Sequence, residues 1–283
     1  MLLNADALAE RVSGETGLVF AGTEGRDTDG SRWLDLHPAD HPVAATFSIR
    51  TVLGWRRLDV HFRPGNFAAD LLEAMRSADE TGRRAFTAVL EVCQADGAEV
   101  ILTVNGADRA PGAAETWETP WRSMGLVVRR GMLAIGDGDA AREAQLTELW
   151  TSRTTAAVLA LLPLEQEDSE VAESDPEVGG LPEGAKTRIE VNRYERDRRN
   201  RAAALAIHGY ACKACDLQLN ELYGPAAAGL IEVHHVTPVS EVGEGYIIDP
   251  RLDLVPLCPN CHSVTHRRQP PYSVDELRQM LGG

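Results

Sequence analysis

A chain of 283 residues is long enough for two domains, each able to bury a core. Its 28 Lys and Arg against 43 Asp and Glu leave a formal charge of −15, which excludes a uniformly basic nucleic-acid binder. The longest apolar run, Ala156 to Leu164, is far short of the ~20 residues that cross a bilayer, and Asp6 interrupts the first apolar stretch, so a cytoplasmic protein without a leader or a disulfide framework is expected.

In chain order, His41 to Val52 and Arg57 to Phe62 read as a strand pair, because Leu58, Val60 and Phe62 alternate with Arg57, Asp59 and His61. Gly54 and its neighbours supply the turn. Ala68 to Cys93 reads as helix, broken near Asp79 to Gly82, with Leu71, Leu72, Met75, Phe86, Val89 and Leu90 toward a core and Cys93 as an inert core thiol. Glu99 to Val104 and Leu126 to Val128 read as further strands, and Ala140 to Leu162 as a long helix. This order predicts an α+β domain over residues 1–164 with a mostly antiparallel sheet, serving recognition or regulation. It holds no nucleotide-binding glycine motif, nucleophile elbow or repeat. Trp33, Trp55, Trp117 and Trp121 offer two uses: stacking on a flipped base, or the core packing more usual in a domain poor in aromatics.

Residues 165–185 read as a linker. Glu165 to Glu183 contains eight acidic residues and two prolines with few large apolar side chains. The charge divides there. Residues 186–283 hold 12 Lys and Arg and 12 Asp and Glu, so the whole acidic excess lies in residues 1–185, at 16 against 31. Beyond the linker, arginines including Arg196 and Arg199 crowd a polar helix, interleaved with Glu190, Glu195 and Asp197. Together with Arg267 and Arg268 they are candidates for contact with DNA phosphates, which require only cations within reach.

The C-terminal region carries the chemistry. Cys212 and Cys215 form one C-x2-C knuckle and Cys258 and Cys261 a second, with 42 residues between them. Two such turns can close a tetrahedron of thiolates around a structural Zn²⁺. Within and just beyond that interval lie His234-His235, His262 and His266. Leu230 to Val233 reads as a short strand, Leu254 to Leu257 as a second, and Pro259 to Arg268 as a helix on which His262 and His266 share a face. Ser273-x-x-Glu276 is a capping box that opens a last helix through Met280.

These elements resemble an HNH endonuclease of the four-cysteine type. The likeness rests on Cys212-x2-Cys215, on Ile231-Glu232-Val233-His234-His235-x2-Pro238, and on Asp253-Leu254-Val255-Pro256-Leu257-Cys258-Pro259-Asn260-Cys261-His262-x3-His266. Tyr194 to Arg198 and His208-Gly209-Tyr210 match the usual lead-in. The likeness spans about Gly184 to Gly283, and it implies a ββα-metal nuclease domain over residues 186–283. It assigns His235 as general base and His234, His262 and His266 as ligands of a catalytic Mg²⁺, Mn²⁺ or other divalent ion. Asp253 stands where the family's asparagine orients the loop of the base, and it can accept but not donate the corresponding hydrogen bonds. The resemblance implies hydrolysis of DNA, modified DNA included, in a restriction or defence role targeted by the N-terminal domain. The alternative is a weakened or inactive zinc module that only binds nucleic acid or regulates.

Overall fold

The computed structural model describes residues 3–133, 135, 138–164, 198–237 and 246–282. Its N-terminal half is built on seven strands: β1 (Phe20–Arg26), β2 (Arg32–Pro38), β3 (Phe47–Gly54), β4 (Arg57–Pro64), β5 (Glu99–Val104), β6 (Ala107–Arg109) and β7 (Met124–Gly131). They lie in the order β1-β2-β3-β4-β7-β5-β6, and every pairing is antiparallel. Period-two alternation turns Leu34, Leu36, Phe47, Ile49, Leu58, Val60, Leu126 and Val128 to one face, where all are buried. The other face carries ion pairs, among them Arg50 with Asp35 and Arg129 with Glu99.

Helices α1 (Ala5–Thr16), α3 (Glu80–Ala95) and α5 (Ala140–Ala160) cover the apolar face; α2 (Ala69–Arg76) and α4 (Ala114–Glu118) are shorter. α3 begins at Asp79, whose carboxylate caps the Gly82 N–H at 2.7 Å. Gly82 is required by packing: a Cβ there would stand 2.4 Å from the Ala160 carbonyl of α5. Cys93 is fully buried in α3, and burial pushes its thiol up to about 11, as an inert core residue requires.

Several elements differ from the sequence reading. α1, β1, β2 and β6 were not anticipated, and the strand expected from His41 begins at Phe47, after Pro42 and a 3₁₀ turn at Val43–Ala45. Gly54 stays in the ladder opposite Arg57, so the turn falls on Trp55 and Arg56, the latter at φ 53°. The break near Asp79 to Gly82 is a real separation of α2 from α3. Trp117 and Trp121 are core residues, 7% and 6% exposed with ring centroids 5.4 Å apart, and the Arg50 guanidinium covers Trp33 at 4.2 Å; only Trp55 of the four is open to solvent.

The expected linker at 165–185 and the lead-in Tyr194 to Asp197 lie outside the described residues. The chain is next described at α6 (Arg198–His208), which has two buried sides. Ala203 joins the core beneath the sheet, with Ala206 and Ile207 packed against it, while Ala204 and Leu205 join a smaller C-terminal core. That core gathers α7 (Leu219–Tyr223), β8 (Glu232–His235), β9 (Leu254–Leu257), α8 (Pro259–Thr265) and α9 (Val274–Met280). β8 and β9 pair antiparallel, and α8 follows directly. Among the described residues no helix is long and apolar enough to cross a membrane.

Candidate metal centre

The first knuckle is a tight turn: the Asp216 N–H returns to the Cys212 carbonyl at 2.9 Å, and Asp216 takes φ 57° to close it. The Lys213 N–H bonds to the Pro256 carbonyl of β9, which sets this knuckle beside the second. Cys258 is the N-cap of α8, Pro259 occupies its first turn, and Cys261 projects from the same end. The four sulfurs lie within 4.8 Å of one another, with 3.8 Å between those of Cys215 and Cys258. A tetrahedron with metal–sulfur bonds of about 2.3 Å has edges of about 3.8 Å, so the cluster has the dimensions to hold an ion such as Zn²⁺. None of the four is in a disulfide.

The thiols are also electrostatically unequal. Burial raises Cys212, but N–H groups of Cys258, Cys215 and Ala214 more than offset it and bring the thiol below its ordinary value. Burial, with neighbouring sulfurs, pushes Cys215 and Cys261 up. Ionisation of one sulfur opposes that of the next, and a cation at the centre removes the conflict.

A second cluster draws on the same helix. His234 on β8, His262 on α8 and His266 at the C-cap of α8 bring ring nitrogens within 4.8 Å of one another. Their ring centroids are 4.8 to 5.4 Å apart, and the Nε2 atoms of His262 and His266 are separated by 3.3 Å. Two nitrogens bound at about 2.1 Å to one ion lie about 3.0 to 3.4 Å apart, so the His262–His266 pair has the spacing for a single divalent cation and His234 lies close by. α8 is shorter than expected and ends at Thr265, yet His266 still completes the cluster.

His235 follows His234 and is therefore on the opposite face of β8, buried and opposite Leu254. The strand expected at Leu230 to Val233 starts two residues later because the Ile231 N–H turns back to the Gly229 carbonyl, which moves both histidines onto the strand itself. Asp253 sits at the far end of the same ladder. Its carbonyl accepts the Val236 N–H at 2.8 Å, and its carboxylate accepts the Tyr246 hydroxyl at 2.8 Å and the Asp249 N–H at 2.7 Å. Every one of these contacts asks Asp253 to accept, so the missing amide donor is not required for them. Pro238 lies outside the described residues.

Glu232 stands in the motif without a role of its own in the sequence. Its carboxylate pairs with Nδ1 of His262, leaving Nε2 toward His266. A carboxylate on the far ring nitrogen fixes the orientation of a ligating imidazole and makes it a better donor. Period-two spacing held the signal, since Glu232 and His234 share one face of β8.

The expected phosphate contacts are dispersed. Arg199 pairs with Asp79 at the start of α3, and Arg268 forms two 2.9 Å bonds to Glu276 and covers the Tyr272 ring. Arg267 is exposed beside His266, while Arg196 lies outside the described residues. Compared with protein-family models, curated proteins and solved structures, the chain finds no match.

Proposed function

We propose that this chain is a metal-dependent endonuclease of the HNH type that hydrolyses DNA phosphodiester bonds. The observation carrying the reading is the convergence of His234, His262 and His266 from β8 and α8. In this reading the three imidazoles hold a divalent ion, such as Mg²⁺ or Mn²⁺, that supplies positive charge to the phosphoryl oxygens and the leaving 3′ oxygen. His235 accepts a proton from water as the water oxygen bonds to phosphorus and the bond to the 3′ oxygen breaks. The 3′ oxygen leaves with the bonding pair and takes a proton from solvent to become a hydroxyl, and the 5′ side keeps the phosphate. Glu232 holds the imidazole of His262, and Asp253 holds the strand end that carries His235. The thiolate clamp is structural: it fixes the helix that presents two of the three imidazoles.

Nicking of supercoiled DNA by the full chain, with Mg²⁺ or Mn²⁺ and with EDTA, is the direct test. Cleavage should require the added ion, and His235→Ala should lower its rate by about two to four orders of magnitude with zinc content and DNA affinity retained. A His235→Ala rate within about threefold of the parent would place the base elsewhere. DNA binding without cleavage by the parent, under any of these ions, would favour a binding module.

A further inference from the structure

The loop that returns to β9 is gripped by two helices. From α6, Nε2 of His208 lies 2.9 Å from the Pro250 carbonyl oxygen. From α3, the Glu91 carboxylate pairs with the guanidinium of Arg251. Arg251 also bonds to both carboxylate oxygens of Asp249, at 3.0 and 2.8 Å. Arg84 lies two turns before Glu91 on the same face of α3. After the direct bonds from Arg251, the charge of Arg84 helps to hold the Asp249 carboxyl below its usual range. α3 thus presents a cation toward Asp249 and an anion to Arg251.

The grip reaches the candidate site through Asp253. That residue binds the Asp249 N–H with its carboxylate and the Val236 N–H with its carbonyl, and Val236 follows His235 directly. β8 and β9 are four residues each. A two-stranded sheet of that size has little rigidity of its own, so its open end is set by what holds the loop.

We propose that the N-terminal layer fixes the orientation of His235 through this loop, with Glu91 as a positioning residue acting by way of Arg251, Asp249 and Asp253. The N-terminal domain then completes the geometry of the base. This inference rests on the reading of His235 as the base.

The test uses the full chain with Mn²⁺. Glu91→Arg should lower kcat by about three- to tenfold, the scale one half-exposed ion pair can command, with KM and zinc content unchanged. Glu91→Asp, which keeps the charge, should restore the parental rate. In an Arg251→Gln background Glu91→Arg should cost nothing further, because the partner is already gone. Amide hydrogen exchange across residues 246–254 should accelerate in Glu91→Arg and return to the parental rate in Glu91→Asp. An inactive parent would overturn the nuclease reading and Glu91's positioning role with it. An active parent whose Glu91→Arg variant keeps the parental kcat would overturn the positioning role alone, whatever the exchange shows.

Discussion

Beneath the seven-stranded sheet, Leu36, Ile49, Val60, Phe86 and Leu126 are withdrawn from water with aliphatic and aromatic neighbours on every side. The C-terminal module has a smaller core that is partly sulfur: of its eleven buried residues, three are cysteines. The first region can reach its free-energy minimum by apolar burial alone. The second has far fewer apolar side chains to bury, with candidate metal ligands among them. The difference explains why α8 is so economical, since seven residues and their two caps supply two thiolates and two imidazoles. It also means that the two clusters cannot vary independently.

The strongest way to break the comparison is to remove one sulfur. Cys215→Ser should drop zinc from about one per chain to near none, and exchange protection should vanish from β8, β9 and α8. Metal binding of this kind contributes on the order of 10 kcal/mol to small zinc domains. On the nuclease reading, nicking should go with it, because α8 carries both clusters, while protection in β3, β4 and β7 should survive. Elemental analysis with segment-resolved hydrogen exchange reads both halves at once. A metal-free variant with β8 and β9 still protected would show that the module has a sufficient core after all.

The converse change is Phe86→Ala. Phe86 is fully buried and meets Trp117 edge-on at 6.0 Å. Its loss should destabilise the sheet layer by about 3 to 5 kcal/mol. Zinc content of the folded protein should not change. Release of zinc in step with the first loss of sheet protection would instead mean that α6, buried on both sides, welds the two regions into one cooperative unit.

How far the sequence disclosed this arrangement depended on the range of the interaction. The alternation of β4, the break between α2 and α3, both knuckles and the Ser273–Glu276 box are local signals, and all stand where their residues place them. β1 was invisible for a physical reason: its inward positions after Phe20 are Gly22 and Glu24, and Gly22 is kept small by the Ala5 backbone pressed against it. β2 alternates over only two apolar positions, Leu34 and Leu36. In α6 the arginines read as a polar helix, whereas Ala202, Ala203 and Ala204 after them carry the burial, with a weak apolar signal but close approach on two sides. The contact between Glu91 and Arg251 spans 160 residues, beyond any periodicity. The grouping of the four cysteines and of His234, His262 and His266 was the more legible part, because candidate metal ligands stand out by residue type and spacing, and packing does not.

The finest comparison asks what one helix cap does in each region. Asp79 caps α3 through the Gly82 N–H, and Ser273 caps α9 through the Glu276 N–H at 3.2 Å while Glu276 returns a bond to the Ser273 N–H at 2.8 Å. Either residue changed to Ala should lose about 1 kcal/mol. In the sheet layer that loss should be spread over a large cooperative core and appear only as a lower melting temperature. In the C-terminal module it should act locally, because α9 reaches the first knuckle through the bond from Arg278 Nε to the Lys213 carbonyl at 2.9 Å and through buried Leu277. Ser273→Ala should therefore hasten zinc release to a chelator severalfold, whereas Asp79→Ala should leave that rate near the parent's. Equal release rates in the two variants would mean that the metal site draws its stability from the whole chain and not from the elements around it.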